Sequence, residues 1–114
     1  MNQFVALVVE DDALQRDVLS ELLKDEGLEV VECTTAEAAE LVLSKAGPEL
    51  LALVTDVNLD GAMTGVELAE FAREKFPSLT VVVLSGKPAP KLPHNTRFLA
   101  KPYEPKELLA AILP

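Results

Sequence analysis

Five short apolar or β-branched runs punctuate the chain: residues 4–9 (FVALVV), 29–33 (EVVEC), 50–55 (LLALVT), 80–84 (TVVVL) and 97–99 (RFL). Each is too short for an independent helix and rich in residues that suit a pleated surface, so each predicts a strand. Between them the apolar period changes to that of a helix. Residues 13–26 put Leu14, Val18 and Leu22 on one stripe, residues 36–45 are rich in helix formers, and residues 65–75 repeat Leu68, Phe71 and Ala72. Pro105 opens a last helix through Leu113, since proline is tolerated in a first helical turn. The punctuation agrees. Gly27 closes the first helix, Gly47 and Pro48 the second and Pro77 the third, while Thr64 and Glu67 have capping-box spacing.

Strands that alternate with helices require right-handed crossovers, hence a parallel sheet covered on both faces. Burial on both faces also explains why the first, third and fourth runs are apolar almost throughout. The fold class is therefore α/β, doubly wound, and one domain over residues 1–114 is expected. In such sheets ligands bind beyond the carboxyl ends of the strands. That confines the search for chemistry to Glu10, Asp11 and Asp12 after the first strand, Asp56 after the third, Ser85 after the fourth and Lys101 after the fifth. One connection breaks the alternation. Residues 85–96 carry Pro88, Pro90 and Pro93, which remove donors and clash with a preceding turn, so the fourth crossover is expected to be a loop.

Composition and charge narrow the class. The 114 residues are 49% hydrophobic, carry a net charge of −9 and include one cysteine, Cys33, which has no intramolecular disulfide partner. A reducing, cytoplasmic location is the simplest expectation. The first apolar run has no basic flank and stops at acids, which excludes a signal peptide and a membrane span. Strong negative charge disfavours nucleic acid as a partner. Acids are absent between Lys75 and Tyr103, a span that holds Lys87, Lys91, Arg97 and Lys101 and reads as a solvated face. His94 and Cys33 have no companions at ligand or catalytic spacing and read as a loop residue and a strand residue.

Carboxylates gathered at one sheet edge repel one another unless protons or a cation reduce the charge. An all-oxygen donor set selects a hard ion, and few carboxylates with water suit Mg²⁺ (or Mn²⁺) better than a calcium cage. Asp11 and Asp56 are the candidate direct ligands, with Glu10 acting through water and the Asn58 backbone carbonyl as a third protein oxygen. The acidic triplet equally reads as capping the positive end of the first helix. Lys101, at another strand end, could pair with a second anion such as a phosphoryl group, to which the Ser85 hydroxyl could donate.

With VVEDD at Val8–Asp12, VTD ending at Asp56, LSG at Leu84–Gly86 and LAKPY at Leu99–Tyr103, the chain resembles the receiver domain of bacterial two-component response regulators over almost its whole length. The resemblance implies a flavodoxin-like sheet of order 2-1-3-4-5, which the family shares with other doubly wound proteins. It places the phosphoacceptor on Asp56, the metal-binding acids on Glu10 and Asp11, the switch hydroxyl on Ser85, the lysine on Lys101 and the switch aromatic on Phe98. By itself Phe98 reads as core packing of a short strand. A cis Lys101–Pro102 bond is also implied. The implied function is phosphorelay signalling, in which a histidine kinase or histidine phosphotransfer protein supplies the phosphoryl group. The resemblance implies a domain that catalyses its own phosphorylation and dephosphorylation and is not an enzyme acting on a separate substrate. The modification would be expected to shift a pre-existing equilibrium and so switch protein–protein interactions.

Three features depart from the family pattern. Ser85 and Lys101 are only 16 positions apart, and prolines stand where the family carries its fourth helix. In this the chain resembles a subgroup of single-domain receivers with a remodelled fourth helix, whose signal would be expected to leave by residues 87–97 with the fifth strand and last helix. The loop after Asp56 lacks the usual proline and is about one residue longer, and Ser85 replaces the frequent threonine. With the last helix running to the chain end at Pro114, a stand-alone receiver without nucleic-acid or membrane partner is expected.

Two rivals share the same residues. Asp56, Asn58, Asp60, Gly61 and Glu67 satisfy an EF-hand calcium-loop pattern, but residues 49–55 leave too little chain for the helix that must precede it. An aspartyl-nucleophile phosphohydrolase would want an acid two residues beyond Asp56 as general acid, and that place holds Asn58.

Overall fold

The computed structural model describes residues 4–113. Pro114, where the sequence ends, lies outside them. Five parallel strands, β1 (Val5–Val9), β2 (Glu29–Cys33), β3 (Leu50–Asp56), β4 (Thr80–Ser85) and β5 (Thr96–Ala100), form one sheet in the order β2-β1-β3-β4-β5. Helices α1 (Ala13–Asp25), α2 (Ala36–Ala46), α3 (Gly65–Lys75) and α4 (Pro105–Ile112) alternate with the strands up to β4 and resume after β5. Among the described residues no helix is long and apolar enough to cross a membrane.

Burial explains the composition of each strand. The inner strands β1, β3 and β4 are covered on both faces and are apolar along their length, whereas β2 and β5 form the edges and carry charged side chains at Glu29, Glu32 and Arg97. Leu7, Val9, Leu53, Val81 and Val83 pack with the apolar sides of α2 and α3. Ala6, Val8, Ala52, Val54, Val82 and Leu84 pack with α1 and α4. The carboxyl ends of β1, β3 and β4 therefore emerge side by side from a rigid, dry core.

Most sequence boundaries fall within a residue or two of the observed ones, and the differences are informative. Asp56 and Ser85 do not follow their strands. They are the last paired residues of β3 and β4, because ladder bonding extends to Asp56↔Leu84 and Ser85↔Ala100. The Leu14–Val18–Leu22 stripe is not the buried side of α1. Leu19, Ser20 and Leu23 face the sheet, while Leu14 is 74% and Val18 56% exposed. The helix carries two apolar stripes, and sequence period alone could not say which one the sheet selects. The fourth crossover is indeed a loop, as the three prolines require: residues 86–95 contain no helix, and only Leu92 packs on the core.

Two turns fix the approach to the carboxyl edge. Thr64 and Glu67 form the reciprocal capping box at the start of α3, with Thr64 N–H donating to Glu67 Oε1 at 2.9 Å and Glu67 N–H to Thr64 Oγ1 at 3.1 Å. Gly65 follows immediately, and its N–H donates to the Val57 carbonyl at 2.9 Å, closing the loop that leaves β3. A Cβ on Gly65 would sit 1.8 Å from the Asp56 carbonyl oxygen, a backbone atom that cannot move aside. Gly65→Ala is expected to cost at least about 2 kcal/mol through this overpacking. A urea titration should show a lower midpoint with unchanged slope.

Candidate functional site

At the carboxyl edge, Glu10, Asp11 and Asp56 each offer a carboxylate oxygen lying within 4.8 Å of the others. Glu10 follows β1 and is 2% exposed, and both its oxygens are engaged. Oε1 accepts from Lys101 Nζ at 3.1 Å, and Oε2 accepts from the Asp12 N–H at 3.1 Å. Asp56 Oδ1 lies 3.2 Å from the same ammonium. Asp11, half-buried, has no hydrogen-bond or ion-pair partner among the described residues. Uncommitted oxygens thus remain on Asp11 and on Asp56, while Glu10 has little direct capacity left. An all-oxygen set of this kind fits a hard divalent cation such as Mg²⁺.

Asp12 belongs to α1 rather than to the pocket, its Oδ1 accepting from Gln15 N–H at 2.9 Å as the N-cap. Of the triplet, Asp12 caps the helix, whereas Glu10 and Asp11 lie with Asp56 in the carboxylate cluster.

Lys101 reaches the pocket from the end of β5, where its N–H bonds the Ser85 carbonyl at 2.8 Å and the Lys101–Pro102 peptide is cis. Burial pulls its ammonium pKa down, but the Asp56 and Glu10 carboxylates outweigh that and hold it above the ordinary lysine range. For Glu10 burial dominates. Its carboxyl is pushed up despite the bonds from Asp12 and Lys101, with the neighbouring Asp56 charge adding to the rise.

Ser85 is buried at the end of β4, its Oγ accepting from the Lys87 N–H at 3.0 Å. Phe98 is half-buried on β5 opposite Val83 and belongs to neither apolar core, so the packing role expected of it from sequence alone is at most partial. Asn58 lies in the exposed loop beyond Asp56. The EF-hand geometry does not form: strand β3 precedes Asp56, and Glu67 is spent on the α3 cap.

Two participants escaped the sequence reading. Gln15 Oε1 accepts from Lys101 Nζ at 2.6 Å. The Asp12-x-x-Gln15 spacing announces a capping box, yet the Gln15 side chain turns to the ammonium, and Asp12 N–H is served by Glu10 instead. Glu37, at the start of α2, accepts from the Ala62 and Met63 N–H groups at 3.0 Å each and so ties down the loop after Asp56. Its carboxyl lies below its ordinary pKa, mainly through its own N–H and then those of Met63 and Ala62. Nothing in the order of residues places 37 beside 62.

A parallel 2-1-3-4-5 sheet with an acid cluster and a lysine at its carboxyl edge defines a doubly wound α/β domain with a candidate cation site. The chain belongs to the response regulator receiver domain family, whose sequence profile matches residues 6–113, and the domain is one of two-component signalling. It is similar to a response regulator receiver protein of Anaeromyxobacter, with 35% identity over 91% of this chain and 42% of that protein. It is also similar to the response regulator FleR of Pseudomonas aeruginosa, with 34% identity over 90% of this chain and 22% of that one. The chain thus spans less than half the length of these two relatives. Among solved structures, a receiver protein of Sinorhizobium medicae superposes with a TM-score of 0.87 at 26% identity, covering 96% of this chain and 91% of that chain.

Replacing Lys101 leaves Glu10 and Asp56 adjacent and uncompensated. Lys101→Met is expected to lose about 3 kcal/mol at neutral pH, the scale for breaking a partly buried pair. The loss should shrink as pH falls from the raised Glu10 value toward the ordinary 4.5, because the native state there binds the proton more readily than the unfolded chain. Urea midpoints measured across that range, in the absence of divalent ions, check both sign and size.

Proposed function

We propose that this receiver accepts a phosphoryl group on Asp56, with Mg²⁺ (or Mn²⁺) bound at Asp11 and Asp56, and that the modification switches its protein–protein interactions. The observation that carries the reading is the uncommitted oxygen of Asp56 beside both the Lys101 ammonium and the free carboxylate of Asp11. An Asp56 oxygen attacks phosphorus. The phosphorus bond to the donor's nitrogen or oxygen breaks, and its electron pair leaves with the donor. Lys101 stays in place to receive the equatorial charge of the transferred group, and Glu10 holds Lys101 in position. When bound, a divalent cation supplies further charge neutralisation at the same oxygens. The Asn58 backbone carbonyl is assigned as the remaining protein oxygen toward that ion.

Ser85 and Phe98 are assigned as the switch pair. The Ser85 hydroxyl proton is free to be donated, since its oxygen is used only as acceptor of the Lys87 N–H. Drawing Ser85 toward a phosphoryl oxygen would release Lys87 and the loop over residues 86–95, with the half-buried Phe98 following. The donor is a histidine kinase or histidine phosphotransfer protein in a bacterial cytoplasm. A groove of about 550 Å³, lined by Leu14, Val18, Leu22, Pro102 and Tyr103, adjoins Lys101 and gives such a donor an apolar surface to cover.

Incubation with Mg²⁺ and acetyl phosphate should add the mass of one phosphoryl group, and Asp56→Asn should abolish that gain; labelling that survives in the variant refutes the assignment. Asp11→Asn should weaken Mg²⁺ binding by more than about tenfold, the lower end of what even outer ligands contribute. Isothermal titration of the folded variant measures it.

A further inference from the structure

At the opposite, amino-terminal edge of the sheet a cavity of about 310 Å³ opens between the last turn of α3 and the first residues of β4 and β5. Arg73, Thr80, Asn95 and Thr96 line it, and no carboxylate does. Arg73 is only 7% exposed. Its Nη1 and Nη2 donate to the carbonyls of Pro77 at 2.7 Å and Leu79 at 2.6 Å, but its Nε has no acceptor. The Thr96 hydroxyl on the facing strand is buried and equally without a partner. Both residues line the cavity, and each keeps one buried donor atom without a partner.

A guanidinium cannot shed its proton, and a buried cation needs a counter-charge or a full set of acceptors. The two carbonyls satisfy part of that demand. Among the described residues no Asp or Glu lies within ion-pair distance of Arg73, although the chain carries 19 acids. The nearby sequence is depleted of them, since residues 75–103 contain none. On the side of β5 that carries Thr96, the loop crossover supplies no helix to complete the packing.

We propose that this cavity is an oxyanion-binding site, in which a carboxylate or phosphate oxygen accepts from Arg73 Nε and the Thr96 hydroxyl. With both outer nitrogens donating to backbone carbonyls, Nε is the guanidinium nitrogen left without an acceptor, and a charged oxygen is the acceptor that binds such a cationic donor most strongly. Both donor atoms are themselves buried, so binding requires the two side chains to turn toward the cavity. The oxyanion belongs either to a free small anion or to an acidic side chain of a protein partner. The site lies at the other end of β4 from Ser85 and is independent of the phosphoacceptor assignment.

Amide and arginine-side-chain NMR titrations without divalent ions test this, using inorganic phosphate in one arm and a tetraglutamate peptide in the other. Saturable shifts of the Arg73 Nε–H and Thr96 N–H signals are expected in at least one arm, and the responding arm identifies the source. Thr96→Val, which keeps the shape and removes the hydroxyl, should weaken binding by about tenfold, as should the negative charge of Asn95→Asp. Asp56→Asn should leave it unchanged. Arg73→Lys removes the Nε donor but also the clamp on Pro77 and Leu79, so the Thr96 and Asn95 variants carry the decision. Unmoved signals in both arms at millimolar ligand, or unchanged affinity in folded Thr96→Val, would overturn the proposal.

Discussion

The carboxyl edge depends on one ammonium. Glu10, Asp11 and Asp56 converge because β1 and β3 are neighbours in register, and their charges within a few ångströms repel by about 4 kcal/mol per pair at a protein-like effective dielectric. Lys101, arriving from β5, sits 3.1 Å from Glu10 and 3.2 Å from Asp56 and offsets much of that repulsion. Burial makes the arrangement specific. Glu10 cannot turn to solvent, and Lys101 is held from a third direction by Gln15. The Asp11 and Asp56 oxygens that remain free are then the ones able to take a cation.

The rest of the sheet exists to hold those ends together. Apolar β1, β3 and β4 are sealed between helices on both faces, so their carboxyl ends cannot drift. The connecting turns add local restraint: the α3 capping box, the close approach of Gly65 to the Asp56 backbone, and the Glu37 carboxylate across the loop. Each acts on the same few residues around Asp56. The loop over residues 57–64 is thereby tied at both ends, while Val57, Leu59 and Met63 pack partly buried against the core.

The loop crossover changes what the β5 side can do. Without a helix between β4 and β5, Phe98 remains half-buried, the Lys87 N–H is free to meet Ser85, and Thr96 faces a cavity rather than packed side chains. On the other face, Arg97 Nη1 bonds the Ala111 carbonyl near the end of α4 and fastens this edge strand from one side only.

Period and punctuation determined the alternation of strands and helices, the loop crossover and the strand ends on which Glu10, Asp11, Asp56, Ser85 and Lys101 stand, because a doubly wound sheet leaves little freedom once its apolar runs are located. Local spacing likewise announced the Thr64–Glu67 cap. Tertiary structure decided which stripe of α1 is buried, since Leu14–Val18–Leu22 and Leu19–Leu23 both satisfy a helical period. It decided that Gln15 serves Lys101 instead of its own cap, that Glu37 meets Ala62 and Met63, and that Arg73 and Thr96 share a cavity. Those contacts join residues from 23 to 86 positions apart or choose between equivalent local partners, so only the packing of whole elements against the sheet could settle them.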